Sequence, residues 1–410
     1  MDDQASPPAR PPHDARRDGQ KRTVWLFGSA SFLHDLGADM VFSVWPMFLS
    51  EVLGANKTII GLIDGLGDAT VSIIQALSGY LSDRWGKRKV FVWIGYLLGG
   101  TAKIGYALAP TWGWVIPFRL LDRSGKMRGS PRDAIISDLS STHDRGRNFG
   151  ILRMMDNSGA VVGIVLSIIL LRFVFTDVAG LRTMFWLAAI PSVIATLLVI
   201  VAYRERVSIG RPLFKGIRFR NISPRLRLYF FLSAVFSLGS FSYSFLLLSA
   251  RSLGFGLASM PLLYLLCTAV TAMLSYFFGN LSDRLGRRAV LLFSFGCWAA
   301  VSIIFLTAHT TAWIVLAFIL YGVHNASLDP VQKALAAELA PAELVASMLG
   351  GYQMVIGLMM LPASLIAGML WDGFGVKAPF LFSLLLTVVA AGLLLLLRDG
   401  NARGTDVNIS

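Results

Sequence analysis

The chain has 410 residues, 55% of them apolar and only 15% charged, with a formal net charge of +13 and a mean hydropathy of +0.64. A soluble protein carries about a quarter charged residues, so a water-soluble globule is excluded. The basic excess belongs to the loops of a membrane protein, and no nucleic-acid partner is expected. Cys267 and Cys297 both fall inside apolar runs, which suggests neither a disulfide framework nor a metal site.

Residues 1–22 are polar and rich in Pro and Arg, and they lack the apolar core of a cleavable signal peptide. A disordered cytoplasmic tail is expected there. Turn residues and charge clusters then divide the chain into twelve helices. The first six cover 23–49, 58–83, 89–109, 112–138, 146–172 and 181–203. The second six cover 227–250, 257–283, 287–308, 311–337, 342–370 and 376–398. Each is long enough to cross a hydrocarbon core of roughly 30 Å. The fourth, with "FRLLDRSGKMRGSPRDA", is too charged to face lipid and must face protein or water. The reading is an all-α integral membrane protein. A six-helix half (23–203) and a second (227–398) are joined by a basic linker (204–226), and a tail follows at 399–410. Lys and Arg concentrate in the connections on one side, including the linker. The opposite side holds Lys57, Arg172, Arg182, Arg251 and Lys377. The positive-inside rule therefore puts both termini in the cytoplasm.

The halves repeat one another. "GYLSDRWGKRK" (Gly79–Lys89) lies between helices two and three, and "GNLSDRLGRRA" (Gly279–Ala289) lies between helices eight and nine. Internal duplication of this kind marks repeat-built transporters. The turns resemble the cytoplasmic signature of the major facilitator superfamily, Gly-x-Leu-x-Asp-Arg-x-Gly followed by two basic residues. The first copy matches at Gly79, Leu81, Asp83, Arg84, Gly86, Lys87 and Arg88. The second matches at Gly279, Leu281, Asp283, Arg284, Gly286, Arg287 and Arg288. Gly79 and Gly279 are expected to let helices approach closely, and Gly86 and Gly286 to allow a tight turn. The resemblance implies a conformational latch built from Gly79, Asp83, Arg84, Gly86 and Arg88 with Gly279, Asp283, Arg284, Gly286 and Arg288. It would hold the halves together on the cytoplasmic side. In helix five, Gly150, Gly159 and Gly163 resemble a motif of proton-coupled exporters, but Ile164 replaces its proline and Ser167 its last glycine.

Ionisable side chains at membrane depth cost about 2.5–3.5 kcal/mol or more and point to function. Asp35, Asp39, Asp64, Asp68 and Asp156, with His324 in the second half, are candidates for reversible protonation. Arg119, Asp122, Arg123 and Lys126 share one helix face at i, i+3, i+4 and i+7. They are candidate solute contacts, as are Tyr243, Asn325 and Gln353. A static network that only fixes helix packing is the competing reading, and for His324 it is a hydrogen-bonded packing residue. No GxxxxGK[ST] loop and no catalytic constellation is present, so neither an enzyme nor a cofactor is expected.

The expectation is therefore a secondary active transporter of the cytoplasmic (inner) membrane. It would be monomeric and embedded in the lipid bilayer, with a small-molecule solute and protons as partners. Proton-coupled export of a small organic molecule is the first reading and proton-coupled uptake of an anionic solute the second. A non-transporting membrane sensor or assembly factor is the rival from another class.

Overall fold

The computed structural model describes residues 13–140, 144–175, 180–203, 205, 223–307, 310–341 and 345–397, without the side chains of 13–19, 83, 346 and 347. Twelve helical spans follow in the expected order. Span α1 (His13–Phe42) continues through Trp45–Met47 and a π-helical turn, Phe48–Val52. Next come α2 (Lys57–Trp85), α3 (Arg88–Leu108) and α4, built of Trp112–Ser124, a 3₁₀ turn Gly125–Arg128 and Gly129–Leu139. Spans α5 (Arg145–Phe173) and α6 (Gly180–Ala202) complete the first half. In the second half α7 is split into Pro224–Gly239 and Ser244–Ser252. It is followed by α8 (Ser259–Leu285), α9 (Arg287–Thr307), α10 (Thr311–Leu339), α11 (Val345–Phe374) and α12 (Ala378–Leu396). The first helix starts at His13, inside the stretch expected to be a tail. Residues 1–12, 206–222 and 398–410 of the tails and linker lie outside the described residues.

Among the described residues, ten helices are long and apolar enough to cross a membrane. The two spans that fall short, α1 and α4, carry most of the interior charge. Apolar side chains instead face outward, among them Ile190 at 54%, Leu385 at 59% and Val388 at 63% exposed. Apolar surface outside and charge inside is the arrangement a lipid solvent selects.

Each break has a local cause. Pro46, just beyond Phe42, has no N–H to continue the α1 ladder. Gly239 followed by serines ends the first piece of α7. In α4, Gly125 and Gly129 flank the 3₁₀ turn, and Gly125 lies against the Gly95 carbonyl of α3. Backbone groups freed within a membrane need partners. Tyr243 Oη donates to the Phe42 carbonyl at 2.9 Å, and Ser242 N donates to Ser364 Oγ at 3.2 Å.

The signature turns define one end of the bundle and the other may be called the far end. At the far end the halves are fastened together. Asp372 of α11 caps α2, accepting from Lys57 N at 3.2 Å, Thr58 N at 2.8 Å and Thr58 Oγ1 at 2.7 Å. Glu51 takes Arg251 through both oxygens at 2.7 and 3.2 Å. Glycines set the α2–α11 seam: Gly368 against Lys57 and Thr58, Gly61 against Ser364, Gly65 against Leu361, Gly357 against Ser72. Past Ser72 the two helices part, and a Cβ on Gly350 would meet nothing.

At the signature end, Gly86 and Gly286 turn the chain with φ of 62° and 90°, as the tight-turn argument requires. Gly79 and Gly279 are not points of close approach in this conformation. A Cβ on Gly79 would make ordinary contact with Ser130, and one on Gly279 would meet nothing. Arg88 pairs with Asp138 at 2.6 Å, and its backbone N–H donates to Glu205. Arg287 reaches Glu338 at 3.1 Å and Asp283 at 3.8 Å, and Arg288 donates to the Leu395 carbonyl. Arg84 and Arg284 are exposed, and the Asp83 side chain lies outside the described residues. Every one of these bonds stays within its own half. In α5, Gly159 and Gly163 seat the helix on the backbone of Phe32 and Leu36 of α1, while a Cβ on Gly150 would meet nothing. This is the close-packing role of small residues.

Candidate functional site

Between the halves lies a cavity of about 430 Å³, within the roughly 300–1,000 Å³ of small-molecule sites. Its first-half wall is Asp68 and Ser72 of α2 with Arg119, Arg123 and Lys126 of α4. The second-half wall is aromatic and amide in character: Phe236, Phe241 and Tyr243 of α7, Tyr321, His324, Asn325 and Gln332 of α10, and Gln353 of α11. Asp329, which is exposed, stands at the mouth. With α2 and α11 apposed at the far end and parted below Ser72, the cavity opens toward the signature end.

Its far-end floor is organised by Asp64, 1% exposed. Oδ1 accepts from Trp45 Nε1 at 2.8 Å and from Arg119 Nη2 at 3.0 Å. Oδ2 accepts from Ser242 Oγ at 2.8 Å and from Ser244 Oγ. One carboxylate thus ties α2 to the breaks of α1 and α7 and to α4, across both halves. Such charge-assisted bonds are roughly twice as strong as neutral ones. Beside it, Tyr264 of α8 donates to Asp39 of α1 at 3.1 Å, another bond between the halves.

Span α4 is a column of cations, each dealt with differently. Arg119 pairs with Asp64, Arg128 with Asp35 at 3.1 Å, and Arg132 with Asp156 at 3.1 Å. Arg132 also donates to Ser31 Oγ at 2.6 Å and to Asp133, whose side chain is 46% exposed. Arg123 lies over the Phe42 ring at 4.5 Å, with Asp122 Oδ2 at 3.9 Å from its Nε. Both Nε atoms, of Arg119 and Arg123, rest against Gly67, where a Cβ would come within 3.0 and 3.3 Å of them. Lys126 and Asp68 face the cavity and have no ion-pair partner within 4 Å among the described residues.

Of the residues expected from sequence, the cavity collects Asp68, Arg119, Arg123, Lys126, Tyr243, His324, Asn325 and Gln353. It does not collect Asp35, Asp39, Asp64, Asp122 or Asp156, which are engaged away from its surface. The two acidic pairs do not act as pairs: Asp35 and Asp39 bond to different spans, and Asp64 is bonded at the floor while Asp68 faces the cavity. His324 is 1% exposed, its Nδ1 2.9 Å from the Ser294 carbonyl, and it stacks on Trp298 at 5.4 Å. That is the environment of a packed, hydrogen-bonded histidine. Lys103 is also buried, donating to Ser192 Oγ at 2.8 Å. Sequence reasoning missed Arg128 and Arg132 as ion-pair partners, and Trp45, Ser242 and Ser244 at the floor. The proline at 46 and the "GSFSYS" string were the available signals.

Comparison with known proteins agrees with this architecture. The profile of the Major Facilitator Superfamily matches residues 27–274 and 229–408. An uncharacterised MFS-type transporter of Methanocaldococcus jannaschii is 35% identical over 391 residues, 92% of this chain and 94% of that protein. A multidrug resistance protein of Klebsiella pneumoniae, MdtH, is 32% identical over 144 residues, 34% of this chain and 35% of its own. Among solved structures, the nucleoside transporter NupG superposes with a TM-score of 0.76 at 15% identity, over 92% of this chain and 100% of that one. A bacterial homologue of the human lysosomal transporter Spinster gives 0.74 at 14%, over 92% and 96%. At these identities the structural likeness speaks to the fold alone. The chain belongs to the major facilitator superfamily of transporters, built as twelve transmembrane helices in two pseudo-symmetric six-helix halves.

Proposed function

We propose that the chain is a secondary active transporter of a small organic anion, coupled to protons and working by alternating access. One observation carries the reading. Among the charges of α4, Arg123 and Lys126 have no carboxylate bonded within hydrogen-bond distance among the described residues, and both line a metabolite-sized cavity. Arg119, Arg128 and Arg132 are already matched by aspartates. A cation left over in a low-dielectric cavity stabilises an anionic ligand far more than it would in water. Amides and aromatic rings across the cavity offer hydrogen bonds and flat contacts for the solute's body. The positive-inside rule assigns the signature end to the cytoplasm. The cavity as it stands then receives solute from, or releases it to, the cytoplasm.

A second reading, export of a small organic molecule, is favoured by the partial similarity to the multidrug resistance protein. Inside-out membrane vesicles with an acidified lumen separate the two. A proton-antiporting exporter fills such vesicles with solute, whereas a proton-symporting importer empties preloaded ones. A panel of organic sulfonates and carboxylates in which none moves in either direction, relative to vesicles without the protein, sinks the transport reading.

A further inference from the structure

Three cations, Arg119, Arg123 and Lys126, and two carboxylates, Asp68 and Asp329, line the cavity. One positive charge is in excess, so a solute with a single negative charge is matched there. Arg119 is taken by Asp64, which leaves Arg123 and Lys126 as the seat of the anionic head. Charge fixes where the head sits and says nothing of the solute's body. The wall across from that seat carries three primary amides, Asn325, Gln332 and Gln353.

Two of these amides have partners. Asn325 shares a hydrogen bond with the Tyr321 hydroxyl, one turn away on α10. Gln332 accepts from Tyr352 Oη at 3.4 Å and donates to Asp329 at 3.5 Å. Gln353 of α11 is half-buried, faces the cavity and has no hydrogen-bond partner among the described residues. Its side chain offers two N–H donors beside one carbonyl acceptor. A secondary amide, which donates and accepts from adjacent atoms, answers both. A hydrocarbon body answers neither, and leaving such groups unmade is costly. The contacts of α2 also set the spacing. The Arg123 side chain packs at Gly67, Gly357 packs on Ser72 five residues along α2, and Gln353 lies four residues from Gly357 toward the signature end. Nine residues at 1.5 Å each separate the two levels by about 13 Å. Two hydrogen bonds of roughly 3 Å take up part of that, which leaves about 7 Å to be spanned by the solute itself.

Resting on the anion reading above, we infer that the solute is an amide-bearing monoanion of the N-acyl amino acid type, its amide about 7 Å from its charged head, and that Gln353 is the residue that reads the amide. The rings of Phe236 and Tyr321 on the same wall offer flat contacts to an acyl group beyond it. Charge then holds the solute to the first half and the amide holds it to the second. An analogue without the amide is rejected because the Gln353 groups stay unpaired against it.

N-benzoyl-6-aminohexanoate, with five methylene groups between amide and carboxylate, is the probe. Its analogue 8-oxo-8-phenyloctanoate replaces the N–H by a methylene and keeps charge, length and carbonyl. Hippurate keeps the amide and the charge but has a single methylene between them. The purified protein is titrated calorimetrically with each. The long amide is expected to bind at least about fivefold tighter than either of the others. In Gln353→Leu that advantage is lost and the three affinities converge. In Lys126→Met all three weaken together. Equal binding of amide and ketone by the native chain, equal binding of the two amides, or a preference that survives Gln353→Leu overturns the inference while leaving the anion reading intact. Failure of all three to bind at 10 mM, or affinities unchanged in Lys126→Met, overturns the anion reading itself, and this inference with it. If Gln353→Leu does not fold, the native affinity ratios decide the matter.

Discussion

A carboxylate drawn out of water needs donors for its lone pairs, and Asp64 finds four of them on three other spans. Removing it strands Arg119, 1% exposed, without a counter-charge. Asp64→Ala is therefore expected to cost about 3–5 kcal/mol, read as a large fall in the melting temperature of purified protein. Arg251→Ala, at the half-exposed Glu51 pair, is expected to cost about 0–1 kcal/mol in the same assay. Gly67 acts through space rather than through a bond. Its missing side chain is where the Arg119 and Arg123 Nε atoms lie. Gly67→Val displaces both guanidinium groups, and anion affinity is expected to fall at least about tenfold, or about 1.4 kcal/mol. At this scale the sequence was informative about which residues are buried and charged, but not about who bonds to whom. Face-sharing along one helix put Arg119, Asp122, Arg123 and Lys126 on one surface; the three cations line the cavity and Asp122 does not. Pairing depends on how spans far apart in sequence are set against each other, which helical periodicity does not encode. Hence Arg128 and Arg132 went unmarked although they hold Asp35 and Asp156.

Between elements, the governing contact is the α2–α11 seam, where backbone meets backbone at Gly61, Gly65, Gly357 and Gly368. A side chain there forces the far end apart without touching the cavity. Cysteines replacing Glu51 and Arg251, a 2.7 Å pair in the native chain, are expected to cross-link readily in this conformation. Adding Gly368→Val is expected to abolish that cross-link, and its persistence at the native rate would show that the seam does not govern closure. The twelve spans were legible because length, hydropathy and charge clusters all mark them. The breaks in α1, α4 and α7 were not marked as breaks, although Pro46, Gly125, Gly129 and Gly239 were in plain view. A proline or glycine in a membrane span is tolerated whenever neighbours satisfy the backbone, so it announces a break only once those neighbours are known.

For the molecule as a whole, the asymmetry between the two ends is what defines its state. Bonds between the halves gather at the far end, while Arg88–Asp138, Arg287–Glu338 and Arg288–Leu395 each join residues of one half. The duplicated turns revealed the two-fold build, and the bonds described for them do not cross between the halves. Asp283, 68% exposed and 3.8 Å from Arg287, contributes little to the present state. Asp283→Asn is thus expected to leave the Glu51–Arg251 cysteine cross-link at or above its native rate while slowing solute exchange. A fall in cross-linking would place that residue in the structure of this state instead.

The charges on the cavity wall have an electrical meaning. A unit charge moved through the membrane field does work of about 2.3 kcal/mol per 100 mV. Arg119, Arg123 and Lys126 outnumber Asp68 and Asp329 on that wall, so an anion bound there changes the charge that the field must move, and the membrane potential would weigh differently on the empty and the loaded carrier.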